Sequence, residues 1–188
     1  MKNHLFVYLA SLAVALPAHA ALQAGDDAPL FEATASLAGE AFDFSLRDAL
    51  EAGPVVVYFY PSAYTRGCNI QAREFADNME AFNAAGASII GVSLDSIERL
   101  NDFSADPEYC AGKLAVASDA TGEIARSYDL NIREGNPEAT DTRGIAIGHD
   151  FVERTTFIVT SDGKIAETIS DLAPAENVLR SLEAVQRQ

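Results

Sequence analysis

The apolar residues of the chain fall into runs with distinct periods. Phe42, Phe44 and Leu46 alternate with Asp43 and Ser45, the period of a half-buried strand. After Gly53-Pro54, Val55 to Tyr60 is an unbroken β-branched and aromatic run, as expected of a strand buried on both faces. Beyond Pro61 the period lengthens. Ile70, Phe75, Met79 and Phe82 predict a helix from about Arg66 to Ala85, stopped by Gly86. Ser88 to Leu94 reads as a second buried strand, and Asp95 with Glu98 as a capping box for a helix through about Ser104. A short strand at Leu114 to Ala117 and a helix at Thr121 to Tyr128 follow, then a polar, Gly-bearing loop from Gly135 to Asp150. Thr155 to Thr160 and Lys164 to Ile169 are strands joined at Ser161-Asp162-Gly163, a hairpin signal. Pro174 opens a last helix with Val178, Leu179, Leu182 and Val185 on one face. The predicted order is β-α-β-α-β-α-β-β-α, an α/β domain without repeats or an internal linker.

The first 20 residues have a different pattern. Lys2 precedes an apolar run from Leu5 to Leu16, Pro17 breaks it, and Ala18-His19-Ala20 places small residues at the −3 and −1 positions of a cleavage site. The run of about 12 residues is short of the roughly 20 that a spanning helix needs, which favours a cleaved secretory leader over a retained membrane anchor. Residues 1–20 are therefore expected to be a signal peptide and residues 21–188 the folded domain, exported to a periplasm or secreted, with no membrane association once cleaved.

Composition narrows the partners. Thirteen Lys and Arg against 28 Asp and Glu give a net charge of −15, which repels phosphate backbones and argues against nucleic-acid binding. The chain has only two cysteines and three histidines. Cys68, Cys110 and His149 are separated by 42 and 39 residues, spacings that fit no compact zinc signature, so no metal or other cofactor is expected. A Cys-His hydrolase would depend on His149 alone, and a loop position reads more simply as a solvated histidine.

Cys68 is the focus of the chemistry. The segment Pro61-Ser-Ala-Tyr-Thr65-Arg-Gly-Cys68 lies where a buried strand turns into a helix. A sulfur in the first helical turn faces unpaired amides and the positive end of the dipole, and both stabilise negative charge on it. The Thr65 hydroxyl can point back toward the sulfur, and Pro61, which has no N–H, can shield it. A buried helix cysteine with a threonine cap fits the same local pattern.

Pro61, Thr65 and Cys68 match the Pro-x-x-x-Thr-x-x-Cys motif of peroxiredoxins, which the chain resembles. The Val-Val-Val-Tyr-Phe-Tyr strand and Arg73-Glu74-Phe75 to Asp77 are similar to the peroxiredoxin Q (bacterioferritin comigratory protein) subgroup of the AhpC/TSA superfamily. Glu153-Arg154-Thr155-Thr156-Phe157-Ile158-Val159, with Asp162-Gly163-Lys164, resembles that subgroup's late arginine-bearing strand and hairpin. The resemblance implies a thioredoxin-like fold, a central mixed sheet flanked by helices, with an added N-terminal strand pair. It also implies a thiol peroxidase acting on hydrogen peroxide and organic hydroperoxides. Cys68 would be the peroxidatic residue, with Pro61, Thr65 and Arg154 completing the site and a thioredoxin-like or small-thiol reductant as partner. Gln71 stands where the subgroup commonly has Glu, a departure expected to change a polar contact near the site without abolishing activity.

Arg73 occupies the position where many members of the subgroup carry a resolving cysteine. Cys110 is then the candidate resolving thiol, against a structural disulfide with Cys68 or a passive buried thiol. The absence of a Cys-x-x-Cys motif argues against a disulfide oxidoreductase on the same fold, and the joint presence of Pro61, Thr65, Cys68 and Arg154 against a non-catalytic binding protein. No extended hydrophobic arm suggests a large ring, so a monomer is expected.

Overall fold

The unbroken apolar run after Gly53-Pro54 forms β3 (Val55–Phe59), every residue of which is at most 1% exposed. Its neighbours explain that burial. β4 (Ser88–Ser93) pairs with it in parallel and β8 (Thr155–Val159) antiparallel. The computed structural model describes residues 20–188, and the predicted leader lies outside the described residues except for Ala20.

The other elements are β1 (Glu32–Leu37), β2 (Glu40–Ser45), α1 (Leu46–Ala52), α2 (Arg66–Asp77), α3 (Met79–Ala84), α4 (Ile97–Ala105), β5 (Ala115–Ser118), α5 (Glu123–Ser127), β6 (Ile132–Arg133), β7 (Phe151–Val152), β9 (Ile165–Ile169) and α6 (Pro174–Val185). Seven strands form one mixed sheet in the order β2-β1-β5-β4-β3-β8-β9, and β6 pairs with β7 separately. Successive residues of β3 face opposite sides, so the core divides in two. Val56, Tyr58 and Tyr60 join residues of α2, α4 and α6 in one cluster, while Val55, Val57 and Phe59 join Leu46, Leu50, Ala125 and Tyr128 in the other.

The predicted mixed sheet and the N-terminal strand pair are both present. The β1–β2 pair closes through Ala38 (φ 52°) and Gly39 (φ 86°), the two left-handed residues of a tight hairpin. Nothing in the Ala-Gly pair announces that turn.

The structure corrects four details of the pattern reading. The helix expected over residues 66–85 divides at Asn78, whose side-chain amide donates to the Glu74 carbonyl at 2.8 Å and competes with the helical ladder. Ile70 is 42% exposed, because the inward face of α2 is set by Cys68, Gln71, Ala72, Phe75 and Ala76. Leu179 is 53% exposed, because Asn177, Val178, Ser181, Ala184 and Val185 form the inward face of α6. The cap of α4 is Ser96, whose hydroxyl accepts from the Arg99 amide at 3.4 Å, and Asp95 is fully buried instead.

Candidate active site

The chain leaves β3 through Tyr60 and Pro61 and turns over Ser62 to Thr65 before α2 begins. Ser62, Ala63 and Tyr64 are all buried, and Tyr64 adopts a left-handed conformation (φ 61°) that aromatic residues seldom take. Thr65 is extended (φ −97°, ψ 148°) and stands at the N-cap of α2, so Cys68 falls in the first turn. The amides there have no acceptor within the helix, which leaves partial positive charge beside the sulfur. Cys68 is 2% exposed.

Arg154, between β7 and β8, reaches this sulfur. Its Nη2 donates to Cys68 Sγ at 3.3 Å, and its Nη1 donates to Gln71 Oε1 in a short contact. Gln71, fully buried one turn along α2, donates in turn to Asn177 Oδ1 at 3.0 Å. Asn177 on α6 also accepts from Thr156 Oγ1 at 2.8 Å and donates to the Ile169 carbonyl at 3.4 Å. The guanidinium is thus aimed by groups from α2, β8 and α6. Gly67 leaves room for it: a Cβ there would lie 3.1 Å from Arg154 Nη2 and 3.7 Å from Pro174 Cγ.

Arg154 therefore meets Cys68 as the sequence predicts, and Pro61 and Thr65 belong to the turn that carries Cys68. The Thr65 hydroxyl differs from expectation. It donates to the Ser62 carbonyl at 2.9 Å rather than toward the sulfur, since that carbonyl is the near acceptor within the turn. Gln71 has a larger part than a nearby polar contact, and Asn177 and Thr156 were not anticipated at all.

Cys110 lies between α4 and β5, fully buried, and both thiols are free. Burial, reinforced by Asp106, pushes the Cys110 thiol far above its ordinary value, so it is held protonated. Cys68 and Cys110 belong to the same apolar cluster as Tyr58.

His149 is not the solvated loop residue expected from the sequence. Its side chain is 16% exposed, with Nε2 at 2.8 Å from Asp95 Oδ1 and Nδ1 at 2.6 Å from the Asp150 carbonyl. Burial alone would lower its pKa, but the Asp95 hydrogen bond and charge raise it above the ordinary 6.5.

A cysteine in a first helical turn, met by an arginine that precedes the strand beside β3 in a buried mixed sheet, suits the chemistry of a thiol peroxidase. Comparison with known proteins makes the class specific. The AhpC/TSA family profile matches residues 24–168, and the chain belongs to that family. Peroxiredoxin Bcp of Escherichia coli is 31% identical over 150 residues, spanning 80% of this chain and 86% of the relative. Among solved structures, peroxidoxin BcpB from Mycobacterium tuberculosis matches with a TM-score of 0.73 at 27% identity, over 88% of this chain and 97% of that one. The bacterioferritin comigratory protein of Xanthomonas campestris, whose structures concern its alkyl peroxide reduction activity, matches at 28% identity with a TM-score of 0.65, over 82% and 90%. The resemblance to the peroxiredoxin Q subgroup holds, and with it the thioredoxin-like fold and thiol peroxidase activity.

Proposed function

We propose that the chain is an exported peroxidase that reduces hydrogen peroxide and organic hydroperoxides through Cys68, with Cys110 as the resolving thiol. The observation that carries this reading is Arg154 Nη2 at 3.3 Å from the Cys68 sulfur in the first turn of α2. The Cys68 thiolate attacks one peroxide oxygen. An S–O bond forms as the O–O bond breaks, sulfur is oxidised by two electrons, and the departing oxygen takes a proton to leave as water or an alcohol. Arg154 stabilises charge developing on the oxygens, and first-turn amides with the Thr65 oxygen orient the peroxide. Cys110 then condenses with the sulfenic acid, releasing water and leaving a disulfide for a thioredoxin-like or small-thiol reductant. The alkyl peroxide activity of the Xanthomonas campestris relative supports the organic substrates.

The leader pattern of residues 1–20 supports export and cleavage after Ala20, and we take the working form to be a monomer in the periplasm or outside the cell. The decisive experiment is peroxide consumption driven by a dithiol, comparing the wild type with Cys68→Ser and Cys110→Ser. Cys68→Ser should abolish turnover and keep the fold. Turnover persisting in that variant would sink the assignment of Cys68. Sequencing the N-terminus of the protein from a periplasmic fraction checks export, and an intact Met1 there would contradict cleavage.

A further inference from the structure

The turn that carries Cys68 is gripped by a buried charged cluster with no part in the reaction described above. Asp95, fully buried just beyond β4, uses Oδ2 to accept from the Ala63 amide and the Ser93 hydroxyl, both at 2.7 Å. Its Oδ1 accepts from the Ser62 hydroxyl at 2.9 Å and faces His149 Nε2 at 2.8 Å and Arg99 Nε at 2.9 Å. Arg99 Nη2 donates to the Ala63 carbonyl at 3.0 Å and to Asp141 Oδ2 at 2.8 Å. Asp141 pairs with Arg143 at 2.9 Å, and the Arg143 guanidinium lies 3.2 Å from the Tyr64 ring centre. Thr142 adds two bonds to the Tyr64 carbonyl, from its amide at 2.9 Å and its hydroxyl at 2.8 Å.

Ser62, Ala63 and Tyr64 are therefore each tied down, and the ties come from Asp95 beyond β4, from Arg99 on α4 and from the Gly135–Asp150 loop. The left-handed Tyr64 needs such over-determination, since its conformation is unfavourable alone. His149 closes the cluster. Both of its ring nitrogens face acceptors, the Asp95 carboxylate and the Asp150 carbonyl, so the site suits an imidazolium with two N–H donors. A neutral ring could donate to only one of them.

We propose that Asp95 and His149 are positioning residues for peroxide reduction: together they lock the Ser62–Thr65 turn to the Gly135–Asp150 loop, and Cys68 is held beside Arg154 only while His149 is doubly protonated. The proposal rests on the assignment of Cys68 as peroxidatic. The groups facing His149 are Asp95, Arg99, the Ser62 hydroxyl, the Asp150 carbonyl and the Phe151 ring, and the one negative charge among these is on Asp95, 2.8 Å from Nε2. That proximity raises the imidazole pKa despite its burial and despite the opposing charge of Arg99, and it brings the Asp95 carboxyl below its ordinary value despite burial.

The test measures the second-order rate of Cys68 oxidation by hydrogen peroxide against pH in the full chain. His149 is titrated by nitrogen NMR in the same samples, its resonances identified by their loss in His149→Gln. In the wild type the rate should fall about tenfold as His149 loses its proton, the size expected for a misplaced reacting group. His149→Gln, which like the neutral ring serves only one of the two acceptors and does not titrate, should show the low rate at every pH and lose the falling limb. His149→Ala should show the low rate throughout. Asp95→Asn should lower the imidazole pKa and flatten the profile, and the His149 variants carry the test alone if Asp95→Asn does not fold. A folded His149→Ala oxidising within about twofold of the wild type at every pH overturns the proposal, as does a falling limb that survives in His149→Gln, because a misplaced reacting group costs more than this. Hydrogen exchange of the Ala63 amide separates the two readings. Faster exchange in His149→Ala beside an inert wild-type Cys68 would sink the peroxidase assignment and leave the clamp, whereas unchanged exchange rejects the clamp whatever Cys68 does.

Discussion

Cys68 does not meet Arg154 by the local chain alone. The guanidinium divides its donors between the sulfur and Gln71, and Gln71 is fixed by Asn177, which Thr156 also holds. Arg154→Met keeps the apolar stem and removes the donors, so it should slow Cys68 oxidation about a hundredfold, with a stability loss of about 1–2 kcal/mol from the buried Gln71 oxygen left without its donor. A stopped-flow rate near the wild-type value would mean the arginine is a bystander. Gln71→Leu removes the acceptor that aims Arg154 but leaves the Thr156 bond to Asn177 in place. Oxidation should slow about tenfold, with a stability loss of about 1–2 kcal/mol by denaturant titration, comparable to one buried hydrogen bond. Pro61, Thr65 and Cys68 were legible because they form one local motif, and Arg154 because the strand around it resembles a known one. Asn177 and Thr156 were not, because nothing in their local patterns shows that α6 packs so as to bring Asn177 between Gln71 and Thr156. An inward Asn also breaks the apolar rhythm of α6, so the pattern points Leu179 inward in a register that the structure does not keep.

The strands of the sheet centre were legible as elements because β3 and β4 are buried on both faces and their apolar runs have no alternative use. The segments that hold the site were harder. The Gly135–Asp150 loop reads as plain polar loop, yet β6 and β7 close its neck and Gly135 sits so close that a Cβ would lie 2.3 Å from the His149 carbonyl oxygen. Asp95 reads as a helix cap because it precedes Glu98, whereas burial and its partners make it a charged hub. This hub predicts how stability depends on pH. His149 has its pKa raised, so its contribution is complete below about 6.5 and is lost as pH rises through the higher folded value. Asp95 has its pKa lowered, so its contribution is complete above about 3.8 and is lost as pH falls through the lower folded value. The urea midpoint should therefore peak between those limits and decline on the alkaline side, and His149→Gln should remove that decline. A midpoint flat through the imidazole titration would contradict the pairing. Asp95→Ala should cost about 3–5 kcal/mol by leaving His149 and Arg99 facing a gap.

Over the whole molecule, the two thiols belong to one apolar cluster on one face of the sheet, and both are free and buried. Cys68 is fixed in α2 beside Arg154, and Cys110 is sealed between α4 and β5 with its proton held on by burial. At the surface Arg73 ties the two regions together, pairing with Asp77 at 2.8 Å and donating to the Pro107 carbonyl at 3.1 Å. The arrangement suits the oxidation step and opposes the resolving step, since a buried Cys110 that keeps its proton is a poor nucleophile. Disulfide formation then requires the first turn of α2 and the segment around Cys110 to open, which also lets the Cys110 thiol ionise in water. One equivalent of hydrogen peroxide should convert the folded, reduced protein to an intramolecular Cys68–Cys110 disulfide, with resolution slower than oxidation. Arg73→Ala should speed resolution and leave oxidation unchanged, because it loosens the opening segments without touching Arg154. In Cys110→Ser the sulfenic acid on Cys68 should accumulate and trap with dimedone. Peptide mapping after peroxide treatment decides the matter: Cys68 found as sulfenic or sulfinic acid with Cys110 still free would reject the resolving role and leave a one-cysteine peroxidase that depends on an external thiol.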